Sequence, residues 1–271
     1  MTAAATVVVE RHDLGSSGPV AAVVRLNRPD ELNPIDRTVL RDLDAALDDV
    51  AADRTVCTVL VTGAGRAFSA GGDLKGYQEL QRDPVGFPAF VAELHRVFRR
   101  LGELDVPAVA LVNGVAVAGG LELVLNCDFA LVAASARVGD GHLNFGQMGG
   151  GGVLTLLPRA IGRARAVELI LSGRLLGAEE TVAWGLASRV VPDDALLDAG
   201  LDFAREVAAK SPLAVANAKH VLTRLWWDND GVDAGLRVEL ERDAYYCLTS
   251  HDAPEGLAAF AEKRTPRFEG R

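Results

Sequence analysis

Two glycine-bearing turns are the segments of this sequence best suited to hold an anion. Each follows a short run of apolar, β-branched residues, and they span residues 63–75 and 113–120. Glycine lets a backbone N–H group approach a ligand closely. The second turn also opens a predicted helix, where free N–H groups and the helix dipole favour negative charge. Two such N–H groups directed at one oxygen would form an oxyanion hole.

Other known motifs that contain glycine or histidine are absent from this sequence. Gly63 and Gly65 are followed by Phe68 where a dinucleotide-binding fingerprint needs its third glycine, and no Gly-Lys-Ser/Thr exists for a P-loop. Ser69 lies in FSAG, which is not the G-x-S-x-G elbow of a hydrolase, and no H-E-x-x-H zinc motif is present. Either glycine turn alone also fits an ordinary tight turn, so the prediction depends on their joint occurrence.

The elements that must position these turns alternate between strands and helices in the first two thirds of the chain. Apolar runs and alternation predict strands at 6–10, 20–25, 57–62, 108–112 and 129–132. Helical spacing predicts helices at 36–52, with Asp36 as a cap, and at 87–104 and 121–126. This order favours an α/β core with parallel pairing. After about residue 192 only helices are predicted, at 195–210, 213–227, 232–248 and 254–263.

Composition and charge exclude several classes of function. The 271 residues are 49% hydrophobic and carry a net charge of −9 without a basic cluster. Binding to nucleic acid is therefore not expected, because it needs Lys and Arg against phosphates. The three cysteines, Cys57, Cys127 and Cys247, fit neither a disulfide framework nor a metal site.

The N-terminus and the most apolar stretch both favour a cytoplasmic protein. Residues 1–10 lack the cationic start and the long apolar run of a signal peptide. Residues 106–134 are strongly apolar but contain Asn113, Glu122, Asn126 and Asp128, which indicates protein core rather than bilayer. No membrane association is expected.

Four segments, in order, resemble the crotonase (enoyl-CoA hydratase/isomerase) family. They are 26–33 (LNRPDELN), 65–75 (GRAFSAGGDLK), 107–128 with its VNG and GGLEL elements, and the ending 260–271 (FAEKRTPRFEGR). The resemblance runs from about residue 20 to the end. It implies a spiral of β-β-α units over residues 1–195 and a C-terminal helical module over 196–271 that forms trimers or dimers of trimers.

The resemblance also implies which residues would hold an acyl-CoA thioester. The backbone N–H groups of Gly72 and Gly119 would bind the thioester oxygen and stabilise an enolate. The resemblance further places coenzyme A contacts at Arg28, Leu32, Ala70, Asp73, Leu74 and Lys75, with Phe260 and Lys263 contributed by an adjacent subunit. For Arg28, Lys75 and Lys263, a plain solvated charge is the alternative. No metal or redox cofactor is implied, since coenzyme A is part of the substrate.

Hydratases of the family use two glutamates that face one water, and this chain matches only the first, with Glu122. Burial would raise the pKa of Glu122 while the helix N-terminus would lower it, and a capping role is the alternative. The family's second glutamate is replaced by His142. An imidazole accepts or donates a proton near neutral pH, and Asp140 would orient the ring if the strand is locally extended. Residues 147–152, rich in glycine, are expected to line the acyl pocket.

The expected function is hydration of a 2-enoyl-CoA through a stabilised enolate. The replacement of the second glutamate leaves two alternatives open. One is another reaction of the family, such as decarboxylation, isomerisation or C–C hydrolysis of a CoA ester. The other is a protein that binds acyl-CoA without turnover, in which His142 only fills the pocket.

Overall fold

The structure is a computed structural model that describes residues 5–15, 18–227 and 231–271. The strands in these ranges are β1 Val7–Asp13, β2 Val20–Leu26, β3 Val56–Gly63, β4 Ala67–Ser69, β5 Ala108–Val112, β6 Val115–Val117, β7 Phe129–Ala133, β8 Arg137–Gly139, β9 Leu176–Gly177 and β10 Arg189–Val191. The α-helices are α1 Arg37–Ala52, α2 Leu74–Leu80, α3 Gly86–Glu103, α4 Gly119–Leu125, α5 Val153–Ile161, α6 Arg163–Ser172, α7 Ala178–Trp184, α8 Leu196–Ala208, α9 Pro212–Trp227, α10 Val232–Thr249 and α11 Asp252–Glu262.

The strands form two sheets that the chain visits alternately. One sheet has the order β1-β2-β3-β5-β7-β10, and the other has the order β4-β6-β8-β9. After β1, the larger sheet is parallel throughout, with β2 beside β3, then β5, β7 and β10. Successive turns place β3, β5 and β7 in the larger sheet and β4, β6 and β8 in the smaller one, with helices after each pair. This is the predicted α/β spiral of β-β-α units.

Most of the predicted elements are confirmed. β1 and β2 pair antiparallel as the expected hairpin, although Ser16 and Ser17 of its turn lie outside the described residues. Helix α1 begins at the predicted cap, where the Asp36 side chain accepts a hydrogen bond from the Val39 N–H. The buried strands β3, β5 and β7 also match their predictions.

The prediction was wrong for the second sheet, whose strands were assigned to loops or were not foreseen. β4, β6 and β8 have three residues each. Such strands are too short to show the alternation from which a strand is recognised in a sequence. Their pairing partners lie in the next turn of the spiral, far away in the sequence, as with Ala67 against Val115 and Ala116 against Val138. Tertiary pairing therefore decides their conformation.

The neighbouring parallel strands β3 and β5 bring the two glycine turns together. Val59, Leu60 and Val61 pair with the residues from Ala108 to Ala110, and all are fully buried. Parallel strands end at the same edge of a sheet, so the turns that follow β3 and β5 meet there. The core thus positions the segments that carry the predicted chemistry.

The four predicted C-terminal helices are present, and the first two are fixed to the core in different ways. Gly200 of α8 lies against Leu111 and Leu60 of the larger sheet, with no room for a side chain. In α9, the buried Lys219 Nζ donates hydrogen bonds to the carbonyl oxygens of Leu101 (2.9 Å) and Val106 (2.7 Å) and pairs with Asp128 at 2.9 Å. No helix of the described ranges is long and apolar enough to cross a membrane.

Lys219→Met should destabilise the protein by about 3 kcal/mol, because it removes the buried ammonium that donates to two carbonyl oxygens and leaves the partly buried carboxylate of Asp128 without this cation. The free energy of unfolding, measured by urea denaturation, tests this. Lys210→Met is the matched control, since Lys210 is exposed near the end of α8. Equal unfolding free energies for both variants would contradict the anchoring role of Lys219.

Candidate active site

The two glycine turns touch at Gly71 and Gly119. A side chain on Gly119 would place its Cβ 3.5 Å from the Gly71 Cα, and one on Gly71 would lie 3.3 Å from the Gly119 nitrogen and 2.8 Å from the Ala118 Cβ. Gly71 also has a φ of +95°, which strongly favours glycine. Among the hydrogen bonds of the described residues, none is donated by the N–H of Gly72 or of Gly119. Both proposed oxyanion donors thus remain available at one junction.

A network centred on Asn33 holds the first glycine turn in place. The buried Asn33 side chain donates to the Ala67 carbonyl at 2.9 Å, and the Ser69 hydroxyl donates to the Asn33 carbonyl at 2.7 Å. Two residues after Asn33, the Ile35 N–H donates a hydrogen bond to the Gly71 carbonyl at 2.8 Å. This role of Asn33 was not among the predictions from the sequence. The available signal was an asparagine among turn residues, since Asn tolerates the left-handed conformation (φ 54°) found here.

Backbone strain occurs immediately before Gly119. Ala118 has φ 54° and ψ −118°, a combination that costs a residue with a Cβ about 1–3 kcal/mol. Its N–H donates to the Gly139 carbonyl at 3.2 Å, which ties the start of α4 to the end of β8. An alanine carries no sequence signal for such a conformation.

Glu122 is buried and accepts hydrogen bonds from the first residue of α5 and from the loop just before that helix. Its Oε1 accepts from the N–H groups of Gly151 at 2.6 Å and Val153 at 3.3 Å, at the start of α5. Burial raises the pKa of Glu122, although these two N–H groups and the positive charge of His142 oppose the effect. Burial therefore outweighs the opposing groups, and the net shift of the Glu122 pKa, which the sequence left open, is upward. Glu122 caps α5 in addition to any role in proton transfer.

His142 contacts Asp140 as expected, but the predicted extended backbone is wrong. Gly141 adopts the left-handed conformation (φ 66°), and residues His142–Phe145 form a 3-10 helix. The bend still brings the two side chains together, with 2.8 Å between His142 Nδ1 and Asp140 Oδ1. Burial alone would lower the pKa of His142, but the hydrogen bond with Asp140 and the negative charge of Glu122 raise it.

The glycine run 149–152 lies against both titratable side chains. A Cβ on Gly149 would be 3.3 Å from Glu122 Oε1 and 3.4 Å from His142 Nδ1, so the carboxyl and the imidazole face the same small space. A Cβ on Gly151 would lie only 2.4 Å from Glu122 Oε2. The absence of side chains here makes room for the Glu122–His142 pair.

Tyr77 is a residue of this region that the sequence analysis missed. A Cβ on Gly72 would lie 2.8 Å from the Tyr77 ring, and the ring packs edge-on against Phe87 and Phe90. Burial, with the negative charge of Glu122, raises the pKa of Tyr77 to about 12, so its hydroxyl stays protonated at neutral pH. Only its helical position after the glycine turn could have indicated it.

The residues expected to contact coenzyme A within one chain lie on the two segments that Asn33 joins. Leu32 has φ 62°, and its carbonyl accepts from the Ala70 N–H at 2.9 Å. Asp73 caps α2 by accepting from the Lys75 N–H at 3.1 Å, and the Leu74 side chain is half exposed. These positions form a rim beside the glycine junction.

The charged candidates differ in whether nearby carboxylates already pair with them. Arg28 pairs with Glu31 at 2.6 Å and with Asp36 at 2.5 Å, so two carboxylates already balance its charge. Lys75 is exposed and is the more available cation for a phosphate. Phe260, on α11, is 85% exposed, and Lys263 ends that helix with φ 55°. Their contribution from an adjacent subunit stays a prediction.

Gly151→Ala should lower the free energy of unfolding by about 1–3 kcal/mol, because the added methyl group overlaps the Glu122 carboxyl. Thermal or urea denaturation measures this loss. Gly150→Ala is the control, since its Cβ would meet nothing closer than Val91 at 3.7 Å. If both variants were as stable as the parent, the tight packing around Glu122 would be refuted.

Comparison with known proteins agrees with this architecture. A family model described as enoyl-CoA hydratase/isomerase matches residues 18–271. The chain is 34% identical over 266 residues to a probable enoyl-CoA hydratase of Mycobacterium bovis, with 98% of each chain covered. It is 36% identical over 256 residues to the mitochondrial methylglutaconyl-CoA hydratase of Rattus norvegicus, with 92% of this chain and 79% of that one covered.

A solved structure shows the same fold. The crystal structure of an enoyl-CoA hydratase from Bacillus anthracis superimposes with a TM-score of 0.89 and 31% identity, and the match covers 98% of this chain and 100% of that one. The family model, the relatives and the shared fold confirm the resemblance seen in the motifs. The chain belongs to the enoyl-CoA hydratase/isomerase family.

Proposed function

We propose that this protein hydrates a 2-enoyl-CoA thioester by way of a stabilised enolate. The observation that carries the proposal is that Glu122 Oε1 and His142 Nδ1 lie 3.3 and 3.4 Å from the position of a Cβ on Gly149. Glu122 itself lies on the helix that begins at the Gly71–Gly119 junction. A thioester carbonyl at that junction would have two N–H donors for its oxygen and two titratable groups near its double bond. The relatives named as hydratases support the same reaction.

The N–H groups of Gly72 and Gly119 would bind the thioester oxygen. Their hydrogen bonds strengthen as negative charge moves onto that oxygen, so they stabilise the enolate more than the substrate. The strained Ala118 and the Asn33 network hold these donors before substrate arrives, which avoids reorganisation during the reaction.

Glu122 and His142 would move the two protons of the reaction. Glu122 accepts a proton from water as the water oxygen bonds to C3 of the enoyl group, and the double-bond electrons shift towards the thioester oxygen. The His142 imidazolium then donates a proton to C2, giving a 3-hydroxyacyl-CoA. A raised pKa makes the Glu122 carboxylate a stronger base and keeps the imidazolium populated near neutral pH. These steps need no metal or redox cofactor.

The coenzyme A moiety would lie along the rim formed by Arg28, Leu32, Ala70 and residues 73–75. Lys75 supplies an exposed positive charge for its phosphates, against an overall charge of −9. We place Phe260 and Lys263 of a neighbouring subunit at the same ligand. Such a contribution requires that copies of the chain associate.

The module 196–271 would mediate assembly into trimers or hexamers. Several of its large apolar side chains are exposed in the single chain, including Leu236, Leu240, Leu248, Leu257 and Phe260. Exposed apolar surface on this scale marks an interaction site. Burial against other copies would remove it from water. We place the assembled protein in the cytoplasm.

His142 supports a second candidate, another enolate reaction of the family. Where a hydratase would use two carboxylates, this chain has one carboxylate and one imidazole. Decarboxylation, isomerisation or C–C hydrolysis of a CoA ester also needs an enolate and one proton donor. A binder without turnover is the third possibility. Product analysis separates these three.

Incubation of a panel of 2-enoyl-CoA esters in oxygen-18 water should give a 3-hydroxyacyl-CoA that carries the label, detected by mass spectrometry. Glu122→Gln should reduce the rate of labelling by about 10²–10⁴-fold, because the amide cannot accept the proton, while CoA-ester binding persists. Glu206→Gln, at an exposed glutamate of α8, is the control. Product without label, or full labelling by Glu122→Gln, would overturn this mechanism.

The hydration rate of the parent should fall as pH rises through the pKa of His142, because the imidazolium that donates to C2 is lost. This pKa lies above its ordinary value of 6.5, so the loss occurs on the alkaline side. His142→Ala should be slower by about 10²-fold or more and should lack this limb of the pH–rate profile. An unchanged profile in His142→Ala would support the pocket-filling alternative.

A further inference from the structure

We infer that Asp140 is a positioning residue for His142, and that it holds the ring so that Nε2 is the nitrogen which exchanges a proton with the substrate. This inference rests on the proposed function for its catalytic consequence, but its structural part concerns the resting protein. An imidazole has two ring nitrogens, and the hydrogen bond made by one of them sets which nitrogen carries the proton.

The carboxylate of Asp140 is almost completely buried and has little else to bond. Its Oδ1 lies 2.8 Å from His142 Nδ1, and its Oδ2 is buried without a hydrogen-bond partner among the described residues. A buried charge is stabilised only when it is paired or hydrogen-bonded. The imidazole N–H is therefore the principal group that balances Asp140.

This contact decides the tautomer of the ring. A carboxylate only accepts hydrogen bonds, so His142 Nδ1 must carry the proton that it donates to Asp140. In the neutral ring the second nitrogen, Nε2, is then the acceptor, and in the imidazolium it is the second donor. Nδ1, the ring nitrogen nearest to Gly149, is thus engaged with Asp140, whereas Nε2 has no hydrogen-bond partner among the described residues. About 15% of the His142 side chain is exposed, which is consistent with access to a ligand.

The backbone on both sides of Asp140 favours the contact between its carboxylate and His142. Gly141 has φ 66°, and a Cβ there would lie 2.8 Å from Val117 Cγ1, so both conformation and space require glycine. On the other side of Asp140, the carbonyl of Gly139 accepts a hydrogen bond from the N–H of Ala118, the residue before Gly119. The strand that ends in Asp140 is thereby joined to the segment that carries the oxyanion donor.

Asp140 and Glu122 are the charged groups that act on the imidazole. Helix α6 also packs against the 142–145 turn, but Glu168 of that helix pairs with Arg174. Arg163 and Arg165 of α6 are exposed, and the glycine run on the remaining side has no titratable group. Removal of Asp140 should thus leave Glu122 as the one carboxylate that favours the imidazolium.

Histidine-selective nitrogen-15 NMR on the intact protein tests the assignment without any need for turnover. The signal of His142 is identified by its absence in His142→Ala. The parent should show the Nδ1-protonated tautomer at high pH and a pKa above 6.5. In Asp140→Asn, which is nearly isosteric, the pKa should fall by about 1 unit or more, in line with the loss of a close opposite charge. Asp194→Asn, at an exposed aspartate, should leave it unchanged.

The kinetic readout follows from the same change. In Asp140→Asn the alkaline limb of kcat/KM should move to lower pH by the same amount as the His142 pKa, and kcat should fall about 10–100-fold with KM nearly unchanged. A purely structural role would lower stability, which denaturation detects, without moving this limb.

Two results would overturn the inference. One is an Nε2-protonated neutral tautomer in the parent, which does not depend on whether Asp140→Asn folds. The other is a His142 pKa in folded Asp140→Asn equal to that of the parent. If the NMR results are as expected but no enoyl-CoA ester is hydrated by the parent, the contact between Asp140 and His142 stands and the proposed hydration fails.

Discussion

The close approach of two glycine backbones, at Gly71 and Gly119, is the constraint on which the rest of the site depends. Parallel pairing of β3 with β5 brings their turns to one sheet edge, and the absence of side chains lets the turns touch. Every other feature of the site supports this contact or uses it. Asn33 ties the first turn to the segment before α1, and Ala118 accepts strain at the second.

The second feature of the site is a group of three titratable side chains that depend on each other, of which two are buried and the imidazole is partly buried. Glu122, His142 and Asp140 are brought together by α4, by the turn after β8 and by the glycine run 149–152. Each carboxylate has backbone or imidazole N–H groups as donors, and the imidazole lies under the influence of both. Such groups cost free energy to bury, and the pKa values of Glu122 and His142 are both raised. A site with one carboxylate and one imidazole can hold a proton donor and a proton acceptor at the same pH.

The C-terminal helices follow a different physical rule from the spiral. Helix α8 packs on the larger sheet and α9 is anchored by Lys219, but α10 and α11 expose large apolar side chains. In the spiral, most large apolar side chains are covered by the sheets and helices of the same chain, although Val85, Met148 and Leu171 are exposed. The chain itself leaves the large apolar side chains of α10 and α11 uncovered, and the proposed assembly would cover them.

Local patterns in the sequence predict the strands β1, β2, β3, β5 and β7, the cap of α1, the four final helices and the family. These depend on local periodicity, capping and motif order, which a chain carries wherever it folds. The same motifs indicated Gly72, Gly119, Glu122 and His142 as candidates.

The remaining features depend on tertiary contacts. The three-residue strands of the second sheet exist because successive turns of the spiral pair them. The pKa of Glu122 depends on burial and on N–H groups of a helix nearly 30 residues away, and the Asp140–His142 contact arises from a left-handed glycine rather than an extended strand. The roles of Tyr77, Asn33 and Ala118 in the site also depend on tertiary contacts. Contacts between residues far apart in the chain leave no local pattern, so these parts of the site could not be predicted from the order of residues alone.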